Sequence, residues 1–93
     1  MNAEAIRARL LAHPFPEKPA IADWEVTTGP DSIGEPGVWV YVTVNDEHLE
    51  AFQTTWQDLR RRIRIVVSES APEAFAYIRL QAASEVAQVA ANA

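Results

Sequence analysis

Side chains able to do chemistry are sparse in this chain. It has no cysteine and only two histidines, His13 and His48. His13 precedes a proline, and His48 stands among Asp46, Glu47 and Glu50. An imidazole beside carboxylates can relay protons, but a solvated helix start accounts for the same four residues. Neither histidine has a Cys or a second His at zinc-ligand spacing. Asp31, Ser32 and Glu35 sit in a stretch rich in Gly and Pro. They lack the alternating oxygen donors and closing Glu of a calcium loop, so their expected role is to make a turn. There is no G-x-S-x-G elbow, phosphate-binding glycine loop or H-E-x-x-H helix. These readings assign no catalytic residue, metal ligand or cofactor, and they lean towards binding over catalysis.

Two groups of binding type remain. The first is aromatic: Trp39, Tyr41, Phe75 and Tyr77, with Arg79 beside them in sequence. Trp and Tyr are the side chains most enriched at energetic hot spots of interfaces. The second is Arg60, Arg61, Arg62 and Arg64, the only basic cluster. A forked guanidinium suits a phosphate or an acidic partner. The plainer reading is a solvated helix face whose cations complement the helix C-terminus.

The elements that must position these residues can be read from periodicity. Residues 3–12 form a first helix, with Asn2 able to cap it and Pro14 and Pro16 ending it. A proline-rich connector follows. In 21–28, Trp24, Val26 and Thr28 alternate with Asp23, Glu25 and Thr27, the period of a half-buried strand. Residues 29–37 are dense in turn formers. Residues 38–44 form a second strand, with the four valines on one face and Trp39, Tyr41 and Thr43 on the other. The two strands make an antiparallel hairpin. From Asn45 onward, Leu49, Phe52, Trp56, Leu59, Ile63 and Val66 recur at steps of three and four, predicting a long amphipathic helix that ends near 68–70. Trp24 and Trp56 read as core. Residues 74–81 form a third strand with Ala76, Ile78 and Leu80 opposite Phe75, Tyr77 and Arg79. Ser84 is positioned to cap a short Ala-rich helix over 84–93, which has few large apolar groups to hold its end.

The predicted class is α+β in two layers, α-β-β-α-β with a further C-terminal α. A crossover through the long helix makes the second and third strands parallel. The sheet is three-stranded and mixed with helices on one face, a ferredoxin-like unit lacking its first strand. If the valine row faces the helices, Trp39, Tyr41, Phe75 and Tyr77 line the uncovered face. An exposed aromatic patch of that kind marks an interaction surface. It is covered either by the chain's own C-terminal segment or a second copy, or by a different partner.

At 93 residues, the chain reads as a single domain, 1–93, which buries roughly 60–65% of its unfolded surface. Its net charge of −5 opposes phosphate backbones and disfavours nucleic acid. It does not oppose a basic protein. The absence of cysteine, of a long apolar run and of signal-peptide features at Met1-Asn2-Ala3-Glu4 predicts a cytoplasmic protein with no membrane association.

Residues 24–32, then Gly34, Pro36 and Val38-Trp39-Val40, form a W-E-V-T-T-G-P-D-S-x-G-x-P-x-V-W-V string. It resembles a hairpin that recurs in small uncharacterised bacterial proteins, and Tyr77-Ile78-Arg79-Leu80 is similar to their last strand. The resemblance covers about a third of the chain. It implies a place beside HEPN-like helical proteins, as the antitoxin-like half of a two-component pair. The expected function is therefore a non-enzymatic module that docks a protein, such as a toxin, through its aromatic sheet face. The alternatives are a sheet that stacks single-stranded RNA, and a homodimer with an activity of its own.

Overall fold

Alternating side chains decide the sheet. The computed structural model describes the backbone of residues 2–92 and the side chains up to residue 87. Strand β1 (Ile21–Pro30) and strand β2 (Pro36–Val44) pair antiparallel as a hairpin, and β2 pairs parallel with β3 (Phe75–Ala82). The strand order is β1-β2-β3, so β2 is central and both other strands are edges. Val38, Val40, Val42 and Val44 are completely buried, with Ala76 and Ile78 buried beside them. One face of the sheet is therefore the core, as the valine row requires.

Two helices cover that face. In α1 (Ala3–Ala12), Ile6 and Leu10 are the buried residues, one turn apart on one side. Its cap is Asn2, whose side chain accepts from the Ala5 amide at 3.1 Å. In α2 (Leu49–Ser70), Phe52, Leu59, Ile63, Val66 and Val67 are buried. This is the predicted stripe, with Trp56 and Leu49 packed at its margin. A 3-10 turn over Asp46–His48 leads into α2. Phe15, from the proline-rich connector, packs tilted against Trp24 with ring centroids 5.5 Å apart. The fold is α+β with a three-stranded mixed sheet, in the α-β-β-α-β-α order expected from the sequence.

Two details differ from the sequence reading. The hairpin loop is shorter than 29–37, because Gly29 pairs with Gly37 and Pro30 with Pro36 in the ladder. Both prolines can do this because their missing N–H costs a strand little at its end. The C-terminal helix α3 starts at Ala83, and Ser84 is not its cap. The cap comes from Asp46 instead. Its carboxylate accepts from the Ser84 amide at 3.0 Å and from the Ser84 hydroxyl. The expectation of a weakly held segment over 84–93 extends to Ala93, which lies outside the described residues; α3 runs to Asn92. No described helix is long and apolar enough to cross a membrane.

Candidate functional site

The sheet register arranges the uncovered face as rows running across three strands. From one end these are Gly29–Gly37–Phe75, Thr27–Trp39–Tyr77, Glu25–Tyr41–Arg79 and Asp23–Thr43–Gln81. The five residues expected at a partner-binding face are thus neighbours on two adjacent strands. Trp39 and Tyr77 stand directly opposite one another, with ring centroids 5.2 Å apart and planes within 13°. Tyr77 then meets Phe75 at a tilt, with centroids 4.8 Å apart and planes at 59°. Offset and tilted aromatic contacts of this kind add about 0.5–1.5 kcal/mol each beyond the area they bury. Phe75 is nevertheless 57% exposed, and Trp39, Tyr41 and Tyr77 are half-buried. The helix α3 packs where β2 and β3 end, and these four rings stay accessible among the described residues.

Trp39 owes its position to a glycine. A Cβ built on Gly37 would come within 2.8 Å of Trp39 Cη2. The indole therefore lies along the strand over Gly37, where a side chain would otherwise stand. Tyr77 is fixed from the hairpin: its hydroxyl donates to Asp31 Oδ2 at 3.2 Å. The other Asp31 oxygen accepts from the amides of Ile33 and Glu35 at 3.0 and 2.9 Å. Partial desolvation pushes the Asp31 carboxyl up. The two amides and the tyrosine outweigh it and hold the group below its usual range. Desolvation, joined by this hydrogen bond, raises the Tyr77 hydroxyl. Asp31 thus builds the turn and reaches across the sheet to β3. The turn also lifts Ile33, which is 80% exposed, beside the aromatic end of the face.

The four arginines do not form one patch. Arg62 is held within the molecule: its guanidinium takes both Glu17 oxygens, at 3.1 and 2.5 Å, and also pairs with Asp58 at 3.1 Å. Its guanidinium is thus committed to carboxylates of its own chain. Arg61 is exposed and stands apart. Arg60 and Arg64, one turn apart on α2, face β3 instead. With Phe75 to Arg79 they line a groove of about 230 Å³ along its free edge. Arg64 donates to the Ala76 carbonyl at 3.3 Å and sits 5.4 Å from the Phe75 ring centroid, a cation–π distance. Its Nε is buried without a partner among the described residues. An unmet buried donor costs on the order of 1–3 kcal/mol.

The residues considered for proton transfer are peripheral to this arrangement. His48 pairs loosely with Glu47, at 3.6 Å on the surface, and His13 packs on Phe15 with centroids 4.4 Å apart. Among the described residues no group of three or more His, Cys, Asp and Glu converges on a common point.

Three contributors escaped the sequence reading: Asp31 as the anchor of Tyr77, Gly37 as the seat of Trp39, and exposed Ile33. The last had a signal. A β-branched apolar residue in a run of Gly, Pro, Asp and Ser serves no turn-forming purpose. A scan of protein-family models finds no match to this chain, and neither does a search of curated proteins.

Proposed function

We propose that this chain is a non-enzymatic protein-binding module that docks its partner through the open sheet face. Its biological setting is the one its hairpin resemblance implies, the antitoxin-like half of a bacterial two-component pair. The observation that supports this reading is the Trp39–Tyr77–Phe75 cluster, ordered by its own contacts and left accessible. Ordered rings lose little entropy on binding and present large area, which is what a hot spot needs. Arg79 and Glu25, flanking Tyr41 in one row, supply a charged rim of both signs. Docking is then steric: the face covers the partner's working surface and needs no chemistry of its own.

Stacking of RNA bases on the same rings is the weaker reading. Trp39 and Tyr77 already spend one ring face on each other, and Asp23 and Glu25 stand on the same sheet face, where they repel phosphate.

The test is capture from host lysate with and without nuclease, using wild type beside Trp39→Ala, followed by reconstitution of the purified pair. The expected result is one nuclease-insensitive protein that binds the wild type and is lost with Trp39→Ala, while circular dichroism shows the variant folded. Capture of nucleic acid alone, or of nothing but further copies of the chain, would overturn the proposal. So would a Trp39→Ala chain that fails to fold, since that would make the indole part of the core.

A further inference from the structure

The two edges of the sheet are treated differently. An edge strand offers unpaired N–H and C=O groups to any other extended chain, and proteins usually blunt it with bulges, prolines or charges. On β1 such features are present. Its register shifts between Ile21 and Asp23, it ends in Pro30, and Asp23 and Glu25 project from it. Arg7 also lies against it, its Nε donating to the Trp24 carbonyl at 2.8 Å and its Nη2 pairing with Asp23 at 3.2 Å.

On β3 the bulge and the proline are absent, and its charges are arginines. The strand contains no proline, and its pairing with β2 is unbroken from Phe75 to Ala82. A single arginine contact, from Arg64, caps the Ala76 carbonyl. That contact also fixes the strand's orientation. Because backbone groups alternate in direction along a strand, Ile78 and Leu80 turn their N–H and C=O to the same free side as Ala76. Beneath this stretch runs the groove, with Arg60 and Arg64 on the helix side and Arg79 on the open-face side. Three arginines thus border one free edge in a chain whose net charge is −5.

We infer that the free edge of β3 takes an extended acidic peptide as a fourth strand. The peptide backbone pairs with Ile78 and Leu80. Every second side chain falls towards Arg60 and Arg64 on the helix side, so carboxylates at those positions meet guanidinium groups, while the intervening side chains lie on the open face beside Arg79. A second copy of the chain is a poor occupant, because pairing β3 with β3 would bring two sets of three arginines together. The inference stands apart from sheet-face docking, since it concerns the strand edge and its main-chain groups, with Arg79 alone bordering both surfaces.

The experiment is an NMR titration of the full chain with a capped peptide of alternating Glu and Val. Its Lys/Val counterpart and a version N-methylated at alternate residues are run in parallel. The expected result is a shift of the Ile78 and Leu80 amides with the Glu/Val peptide and none with the other two. Arg60→Glu weakens binding by about tenfold or more, the scale of a lost charge pair. Arg61→Glu, the same charge change away from the groove, alters it by less than about twofold. Unmoved Ile78 and Leu80 amides at millimolar peptide would overturn the inference. Equal binding of the Lys/Val or the N-methylated peptide would do so too, since the first removes charge recognition and the second removes strand pairing. Displacement of the Glu/Val peptide by self-association through β3, seen by sedimentation, or competition by oligothymidylate at the same amides, would also sink it.

Discussion

Among single residues, Gly37 controls the binding face most directly. Trp39 cannot lie flat unless position 37 lacks a Cβ, because that atom would stand 2.8 Å from the indole. Gly37→Ala is therefore expected to lift Trp39 off the sheet and break its stack on Tyr77, while the backbone ladder of β2 persists. The change should appear in near-UV circular dichroism, with far-UV signal retained. Partner affinity should fall by about tenfold, roughly 1.4 kcal/mol. An unchanged near-UV spectrum would mean that the indole is not seated by this glycine. The glycine is easy to see in the sequence, but its purpose is not. Among turn formers it reads as part of the loop, and only the ladder shows that it is a strand residue facing Trp39. Arg62 illustrates the reverse. Its type and spacing allowed either a solvated helix face or a ligand-gripping cluster, whereas Glu17, distant in sequence, takes its guanidinium. No local pattern reveals which cation a remote carboxylate will claim.

Whole elements were more legible than single contacts. The valine row and the α2 stripe each repeat one period over many residues, so their buried faces follow from spacing alone. The sidedness of Trp39, Tyr41, Phe75 and Tyr77 follows in turn, because a strand with one buried face has no freedom in the other. Element ends were less legible. Strands β1 and β2 extend through Pro30 and Pro36, residues that look like loop when read singly. The start of α3 is set by Asp46, which lies 38 residues away in the chain. That capping role leads to a prediction about the element. The bond from the Ser84 hydroxyl and then that from its amide hold the Asp46 carboxyl below its usual range, so the contact belongs to the ionised form. Asp46→Ala should leave the amides of α2 and the sheet protected while those of α3 exchange faster. Hydrogen exchange read by mass spectrometry distinguishes the two helices. Equal acceleration in both would show that the contact supports the whole fold and not α3 alone.

Across the molecule, carboxylates act as long-range ties, and three of these among the described residues have shifted values. Glu17 joins the connector after α1 to α2 through Arg62; Asp31 joins the hairpin to β3 through Tyr77; Asp46 joins the β2–α2 junction to α3 through Ser84. Each is held below its ordinary value, 4.5 for Glu17 and 3.8 for the two aspartates. For Glu17 the hydrogen bond from Arg62 is the main cause, opposed by desolvation. A carboxylate whose folded value is depressed contributes stability above its unfolded value, and that stability is lost as pH falls through the folded value. All three therefore act in the same direction. The stability these ties contribute should hold from neutral pH down to about 5, then be lost progressively on further acidification as the three carboxylates protonate. Tyr77 sets the opposite edge. Its raised hydroxyl supports the fold below its ordinary value of 10.0, and that support is lost as pH climbs through the raised value. Urea denaturation across pH measures both limbs, and variants assign them. Glu17→Gln should cost about 1 kcal/mol at neutral pH, a charged hydrogen bond discounted for the partial exposure of Arg62. The difference from wild type should narrow as pH falls below 4.5 and close once Glu17 is protonated in the folded chain as well. A Glu17→Gln penalty that persisted unchanged into that acid range would mean that shape, and not charge, makes the tie. Tyr77→Phe should flatten the alkaline limb and trim the acid limb only by the tyrosine's share in holding Asp31 down, because it removes the titrating hydroxyl and keeps the ring stacked on Trp39.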